Sequence, residues 1–289
     1  APFAEELASG PGLVMGDLDL PLAVALSPTS AFLVLVVALQ ALITIATLVL
    51  IGSGLAVIFG MMRVINLAHG EFLMLGGYTA ILSHQAGLGL WPAMLLVAPL
   101  VVGLIGLAVE RLVIRPLYGR MVDTMLATWG LSLLLTGAVT MAFGNTVTGL
   151  SAPLGSVAIG GYRTSGYELF LVAAAILLLL AIWAVLRFTR AGLIARGTMQ
   201  NAPMAAALGV NPNRVYSLTF ALGAALSGLA GALIAPLSGV VPTMGTAYIA
   251  KAFITVITGG AAILTGLVSA EQMEATALQQ YRQVLREAA

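Results

Sequence analysis

Within the run MRVINLAHGEFLMLGGY, Met62 to Tyr78, the chain sets Arg63, Asn66, His69 and Glu71 in surroundings that are otherwise hydrocarbon. Two residues apart, His69 and Glu71 could form an acid–base pair. Such a pair needs hydrogen-bond reach and a nucleophile or metal beside it, and no recognisable motif supplies either. A metal site is disfavoured as well: with 2 histidines and no cysteine in the sequence, three or more ligands would need carboxylates that are scarce here. What remains is hydrogen bonding. Gly70, Gly76 and Gly77 weaken the helix around these groups, and an interrupted helix at membrane depth frees backbone and side-chain groups to line a water-filled path. A satisfied polar cluster that holds two helices in register, or a cytoplasmic turn, would use the same residues. In ATWGLSLLL, Trp129 either walls a cavity or packs in a core, and Ser132 can bond its own helix.

The elements that must position these residues follow from composition. Of 289 residues 60% are hydrophobic and 8% charged, and the mean hydropathy is +1.07. A soluble domain carries about a quarter charged residues, so the main solvent of this chain is lipid. The 33 glycines fit that reading, because glycine lets transmembrane helices approach closely. A net charge of +1 disfavours nucleic acid as a partner. Without cysteine, disulfides, thiol catalysis and cysteine-ligated metals are excluded.

An all-α, polytopic membrane protein is expected. Apolar runs of about 20 residues, enough to cross a bilayer, fall near 31–60, 71–86, 92–110, 123–143, 167–187, 215–238 and 246–268. These seven spans make a transmembrane domain of 31–268, with interrupted helices near 60–71 and 238–246. The first run is long for one span, and a kink or a second short segment is expected near Gly52 and Gly54. Basic short loops stay cytoplasmic. Arg111, Arg115 and Arg120 mark one such loop, and Arg187, Arg190, Arg196 and Arg214 mark another. The acidic segment 1–30 and the loop from Asn145 to Gly166 then fall outside. The stretch 271–289 is polar, with Leu278, Tyr281, Val284 and Leu285 near helical spacing, and reads as an amphipathic cytoplasmic helix.

Two further segments rise above the background. In Thr189 to Val215, Asn201 suits a helix N-cap, Pro203 a first turn and Gly209 a left-handed C-terminal position. They frame a helix of roughly two turns, alanine-rich and on the arginine side: either a docking helix or an ordinary surface connection. In Phe220 to Pro236, Gly223, Ser227, Gly231 and Ala235 recur every fourth residue, giving a small-residue face for helix packing. That helix breaks at Pro242 and Gly245, as the first breaks at NLAHG, and both breaks follow a Gly-Leu-Ala, at Gly54 and Gly228. Matching interruptions in two halves point to a transport site between repeats, with Asn66 and Thr243 at corresponding places.

GLAVIFGMMRVINLAHGEFLMLGGY, ERLVIRPLYGRMVDTMLATWGLSL, RAGLIARGTMQNAPMAAALGVNPNRVYSLTFALGAALSGLAG and AYIAKAFITVITGG together cover most of residues 40–268. In that order they resemble the permease subunits of ABC importers for branched-chain amino acids and for urea or short amides. The resemblance implies a translocation path touched by Asn66, His69, Glu71, Trp129, Ser132 and Thr243. It also implies a cytoplasmic coupling helix over about 200–209, with Gln200, Asn201, Met204, Ala205, Ala206 and Gly209, inserted into an ATPase subunit. No GxxxxGK[ST] loop occurs in the chain, so ATP and Mg would be bound by partner ATPase subunits. A second, related permease subunit, a soluble substrate-binding protein outside and a bacterial inner membrane complete the implied setting. The segment Glu110 to Leu133 and the run RGTMQN look closer to the urea and amide branch. Urea or a short amide is therefore the expected solute and a branched-chain amino acid the alternative. Lys251, and the polar stretch from Glu271 where the family continues with a further span, are departures from the pattern. A passive small-solute channel and an intramembrane enzyme are the readings from other classes.

Overall fold

The computed structural model describes residues 28–159 and 162–259. Most of the segment 1–30, the end of the last span to 268 and the tail 271–289 lie outside the described residues. Where apolar runs leave the backbone no water to bond, helix is the form that satisfies every amide within its own segment. Helices occupy each of the seven expected runs: α1 Pro28–Met62, α2 His69–Gln85, α3 Leu90–Leu117, α4 Met121–Phe143, α5 Gly166–Phe188, α8 Pro212–Ser238 and α9 Met244–Gly259. Between α5 and α8 lie α6 Arg190–Gln200 and α7 Ala202–Ala207. Five of these helices (α1, α3, α4, α5 and α8) are long and apolar enough to cross a membrane.

Both expected interruptions are present. After Met62, Arg63 takes a left-handed φ of 52°, rare for a side chain that is not glycine, and helix resumes only at His69. After Ser238, Gly239 turns with φ 67° and helix resumes at Met244.

Three expectations change. No second short segment begins at Gly52 or Gly54, since α1 runs unbroken for 35 residues. Instead, the bare backbone at Gly54 lies where a Cβ would strike the Gly223 carbonyl and Ser227 of α8, so its role is close packing. The third run does not stop at 110 but continues to Leu117, unevenly wound, with π turns at Ala93–Val97 and Glu110–Ile114. Each π turn lies just ahead of a proline, Pro99 or Pro116, which has no N–H to continue the regular ladder. The connection after α4 is more than loop. A two-stranded antiparallel hairpin, β1 Ser156–Ile159 and β2 Tyr162–Ser165, pairs Ser156 with Ser165 and Val157 with Thr164.

The core is built around α8, which packs against α1, α2 and α3, while α9 packs on α1 and α2. Leu50, Ile51 and Leu55 of α1, Leu73 of α2, Tyr167 and Leu171 of α5, and Leu233 and Ile234 of α8 form its largest buried cluster. The Tyr167 hydroxyl donates to the Leu233 carbonyl at 2.8 Å. Gly223, Ser227, Gly231 and Ala235 are all buried, and a Cβ at Gly231 would run into the Leu73 carbonyl. Of the five long helices α8 is the most enclosed and α4 the least.

Candidate functional site

The break between α1 and α2 is organised by its own polar residues. Asn66 Oδ1 accepts from the Ala68 N–H at 3.0 Å, and the His69 and Glu71 amides donate to the Asn66 and Ala68 carbonyls at 3.3 and 3.2 Å. Asn66 thus supplies the turn that starts α2. His69 is completely enclosed, with Nε2 at 3.0 Å from the Ile51 carbonyl of α1 and Nδ1 at 3.2 Å from Ser227 Oγ of α8. A carbonyl only accepts, so Nε2 carries the proton, and the single Ser227 hydroxyl proton lies within reach of two acceptors, Nδ1 and the Gly223 carbonyl at 2.8 Å. His69 therefore staples the break to two neighbouring helices.

Glu71 faces the other way. Ser132 and Thr136 of α4 donate to its Oε1 at 2.7 and 3.1 Å, and its carboxylate presses on the backbone of Gly245 in the first turn of α9. Gly70 meets the same place: a Cβ there would overlap the Gly245 carbonyl. The first turns of the two helices that follow the breaks therefore touch at residues 70, 71 and 245. The loop after α4 secures the second break, with Thr148 and Val240 exchanging backbone hydrogen bonds of 3.0 and 2.7 Å.

The structure thus brings Asn66, His69, Glu71 and Ser132 together, but not Trp129 or Thr243. Trp129 is 55% exposed, on the flank of α4 that also carries the exposed Leu126 and Leu133, three residues before it and four after. Thr243 is exposed at the edge of its break, and Gly245 takes the place beside Glu71. Thr136 was missing from the sequence reading, although its place four residues after Ser132 puts it on the same face. Although adjacent, His69 and Glu71 bond to different helices and do not form an acid–base pair. Lys251 lies over the Tyr248 ring at 5.3 Å and is exposed. The one ion pair among the described residues is Arg120–Asp123, 2.6 Å. No group of three His, Cys, Asp or Glu that could hold a metal occurs among the described residues.

At the arginine-rich end, a cavity of about 330 Å³ is lined by Arg63, Val64, Tyr118, Arg120, Thr124 and Tyr216. Beneath it, Tyr118 and Ser217 both donate to the fully buried Glu110 carboxylate, tying the end of α3 to the start of α8. Burial, and then the neighbouring carboxylate, hold the Tyr118 phenol above its ordinary value. Next along the chain, Asn201 Oδ1 caps α7 by accepting from the Met204 N–H at 2.9 Å. Gly209 closes the helix with φ 85°, and Val210 donates back to the Ala205 carbonyl at 3.0 Å, as in a Schellman ending. Ala205 is buried against the chain, while Gln200, Met204, Ala206, Leu208 and Gly209 are exposed.

Residues 37–273 match the family described as branched-chain amino acid transport system, permease component. The high-affinity branched-chain amino acid transport system permease protein LivH of Salmonella typhimurium is 30% identical over 237 residues, 76% of this chain and 77% of that protein. LivH of Escherichia coli K12 gives the same figures. The corresponding permease protein BraD of Pseudomonas aeruginosa is 28% identical over 238 residues, again 76% and 77% of the two chains. These relatives are transport permeases rather than enzymes. No solved structure matches the chain. A match across nearly all the described helices, both breaks and α7 included, assigns this multi-pass membrane protein to the permease family of ABC-type branched-chain amino acid transport systems.

Proposed function

We propose that the chain is a translocation subunit of an ATP-driven importer in a bacterial inner membrane and that its solute is a branched-chain amino acid. The observation that carries this reading is the LivH likeness, at 30% identity over about three quarters of both chains. The urea or amide reading rests on the local run from Glu110 to Leu133 and on RGTMQN. The relatives favour the amino-acid alternative instead.

In this account ATP and Mg sit on separate ATPase subunits, since the chain has no phosphate-binding loop of its own. The exposed Met204, Ala206 and Leu208 of the α7 region seat in such a subunit, and α7 is followed directly by α8, the central helix of the core. Movement at α7 therefore reaches the Ser227–His69 staple and the two breaks through one rigid element. A related permease subunit supplies the other wall, and a soluble binding protein delivers solute at the hairpin side.

The test is uptake into proteoliposomes that hold this chain with its neighbouring permease, ATPases and binding protein. Labelled leucine, urea and a short aliphatic amide are offered in parallel. Leucine uptake that excess valine suppresses and excess urea does not is the expected result. Urea or amide uptake without leucine uptake would restore the other branch.

A further inference from the structure

Helix α4 carries a hydroxyl at every fourth position from one end to the other: Thr124, Thr128, Ser132, Thr136 and Thr140. Side chains four apart share a helix face, and this face is turned toward α2 and the break before it. Thr128 Oγ1 accepts from the Leu67 N–H at 3.1 Å, and Ser132 and Thr136 reach Glu71. Nearer the outer end, Tyr78 of α2 stacks on Phe143 with ring centroids 4.9 Å apart. The remaining flanks of α4, with Leu126, Leu133 and Leu134, are exposed and apolar.

A second observation falls on the same seam. Among the described residues, three buried side-chain polar atoms lack a hydrogen-bond partner: Asn66 Nδ2, Glu71 Oε2 and Tyr78 Oη. All three belong to α2 or to the break that starts it. Buried polar groups are almost always paired, and each exception calls for a reason. Glu71 is the sharpest case, since it is 2% exposed: its Oε1 meets the midpoint of α4, while the unpartnered Oε2 lies beside Gly245 of α9. Among the described residues no cation lies against it, for Lys251 is over Tyr248 and the arginine of their single ion pair is Arg120. An uncompensated carboxylate at membrane depth is expensive and marks function.

We propose that the seam between α2 and α4 lines the route of the solute and that Glu71 receives the ammonium group of a zwitterionic amino acid there. This rests on the amino-acid reading above and names the atom that distinguishes such a solute from urea, which brings no cation. The ammonium replaces the hydroxyls on Glu71 and takes up its unpartnered oxygen. Freed from Glu71, Ser132 and Thr136, with Thr140 beyond them, donate to the solute's carboxylate. α4, the least enclosed long helix, lies on this chain's side of that route, and the related permease subunit stands opposite.

With no cysteine in the sequence, any cysteine introduced is the only one in this chain. Single variants Ser132→Cys, Thr136→Cys and Thr140→Cys, with Leu133→Cys and Leu134→Cys as controls, are assembled in the complete importer in proteoliposomes. They are then treated with a cationic methanethiosulfonate reagent. The three ladder positions should react and be protected by leucine, and the two leucine positions should not react. In the same preparation Glu71→Gln should raise the KM for leucine about tenfold or more, the loss of one charged hydrogen bond. Glu71→Asp should recover part of it, and both should keep bound ATPase. Wild-type leucine uptake with an unprotected ladder, or an unchanged KM in Glu71→Gln, would overturn the seam alone. Uptake of urea but not leucine by the wild type would overturn the amino-acid reading and, with it, the role given to Glu71.

Discussion

At the scale of single residues, the site depends on atoms that leave no room for change. Gly70 meets the Gly245 carbonyl where a side chain would have to go. Gly70→Ala therefore separates the first turns of α2 and α9, and overpacking of this kind costs about 1–3 kcal/mol or more. A lower midpoint of thermal inactivation in detergent checks it, and an unchanged midpoint would contradict the contact. At the arginine-rich end, the raised Tyr118 has a defined pH consequence. The folded state keeps a proton that the unfolded chain releases near the ordinary tyrosine value of 10.0. Stability from this source is full below that pH and falls as pH rises above it. Tyr118→Phe should be less stable at neutral pH, because the buried Glu110 carboxylate loses a donor worth about 1–3 kcal/mol. It should also lose less stability than the wild type in denaturant titrations taken from roughly pH 9 to 11.

At the scale of elements, the short helix α7 can be tested apart from the membrane core. Asn201→Ala removes the side chain that caps it, at a cost of about 1 kcal/mol to that helix. It should weaken recovery of ATPase subunits with the purified permease while leaving the thermal midpoint of the bundle in place. Ala206→Trp, on the exposed side of α7, should abolish that recovery by filling the docking surface. The elements also divide by how legible they were. Both helix breaks could be read because polar residues and glycines interrupt hydrocarbon, and Asn201 and Gly209 are local signals for local structure. α6 was not read, since Gly192 and Gly197 lower helix propensity in that stretch. A second segment near Gly54 did not form, because glycine serves helix interruption and close packing equally, and only the partner helix decides between them. Ser132 was found but Thr136 and the rest of its ladder were not, because the serine was read beside Trp129 rather than along its four-residue row.

At the scale of the whole molecule, the exposed α7 leads into one central helix, α8, which packs on two breaks that meet beside a buried carboxylate. The same cysteine-free background checks the orientation. Val157→Cys in the hairpin should be labelled from outside intact cells, and Met204→Cys only after permeabilisation. Labels on the opposite sides would invert the roles of hairpin and α7. The helix order, the family and the breaks were all within reach of the sequence. The meeting of residues 70, 71 and 245 was not, because it joins segments more than 170 residues apart. Energy coupling is what separates this reading from a passive channel built of the same helices. The most direct measurement is leucine accumulation in proteoliposomes of the complete importer, with and without ATP inside. The account predicts accumulation above the external concentration only with ATP, and none in Ala206→Trp. Leucine that equilibrates at the same rate without ATP, unaffected by that substitution, would contradict it.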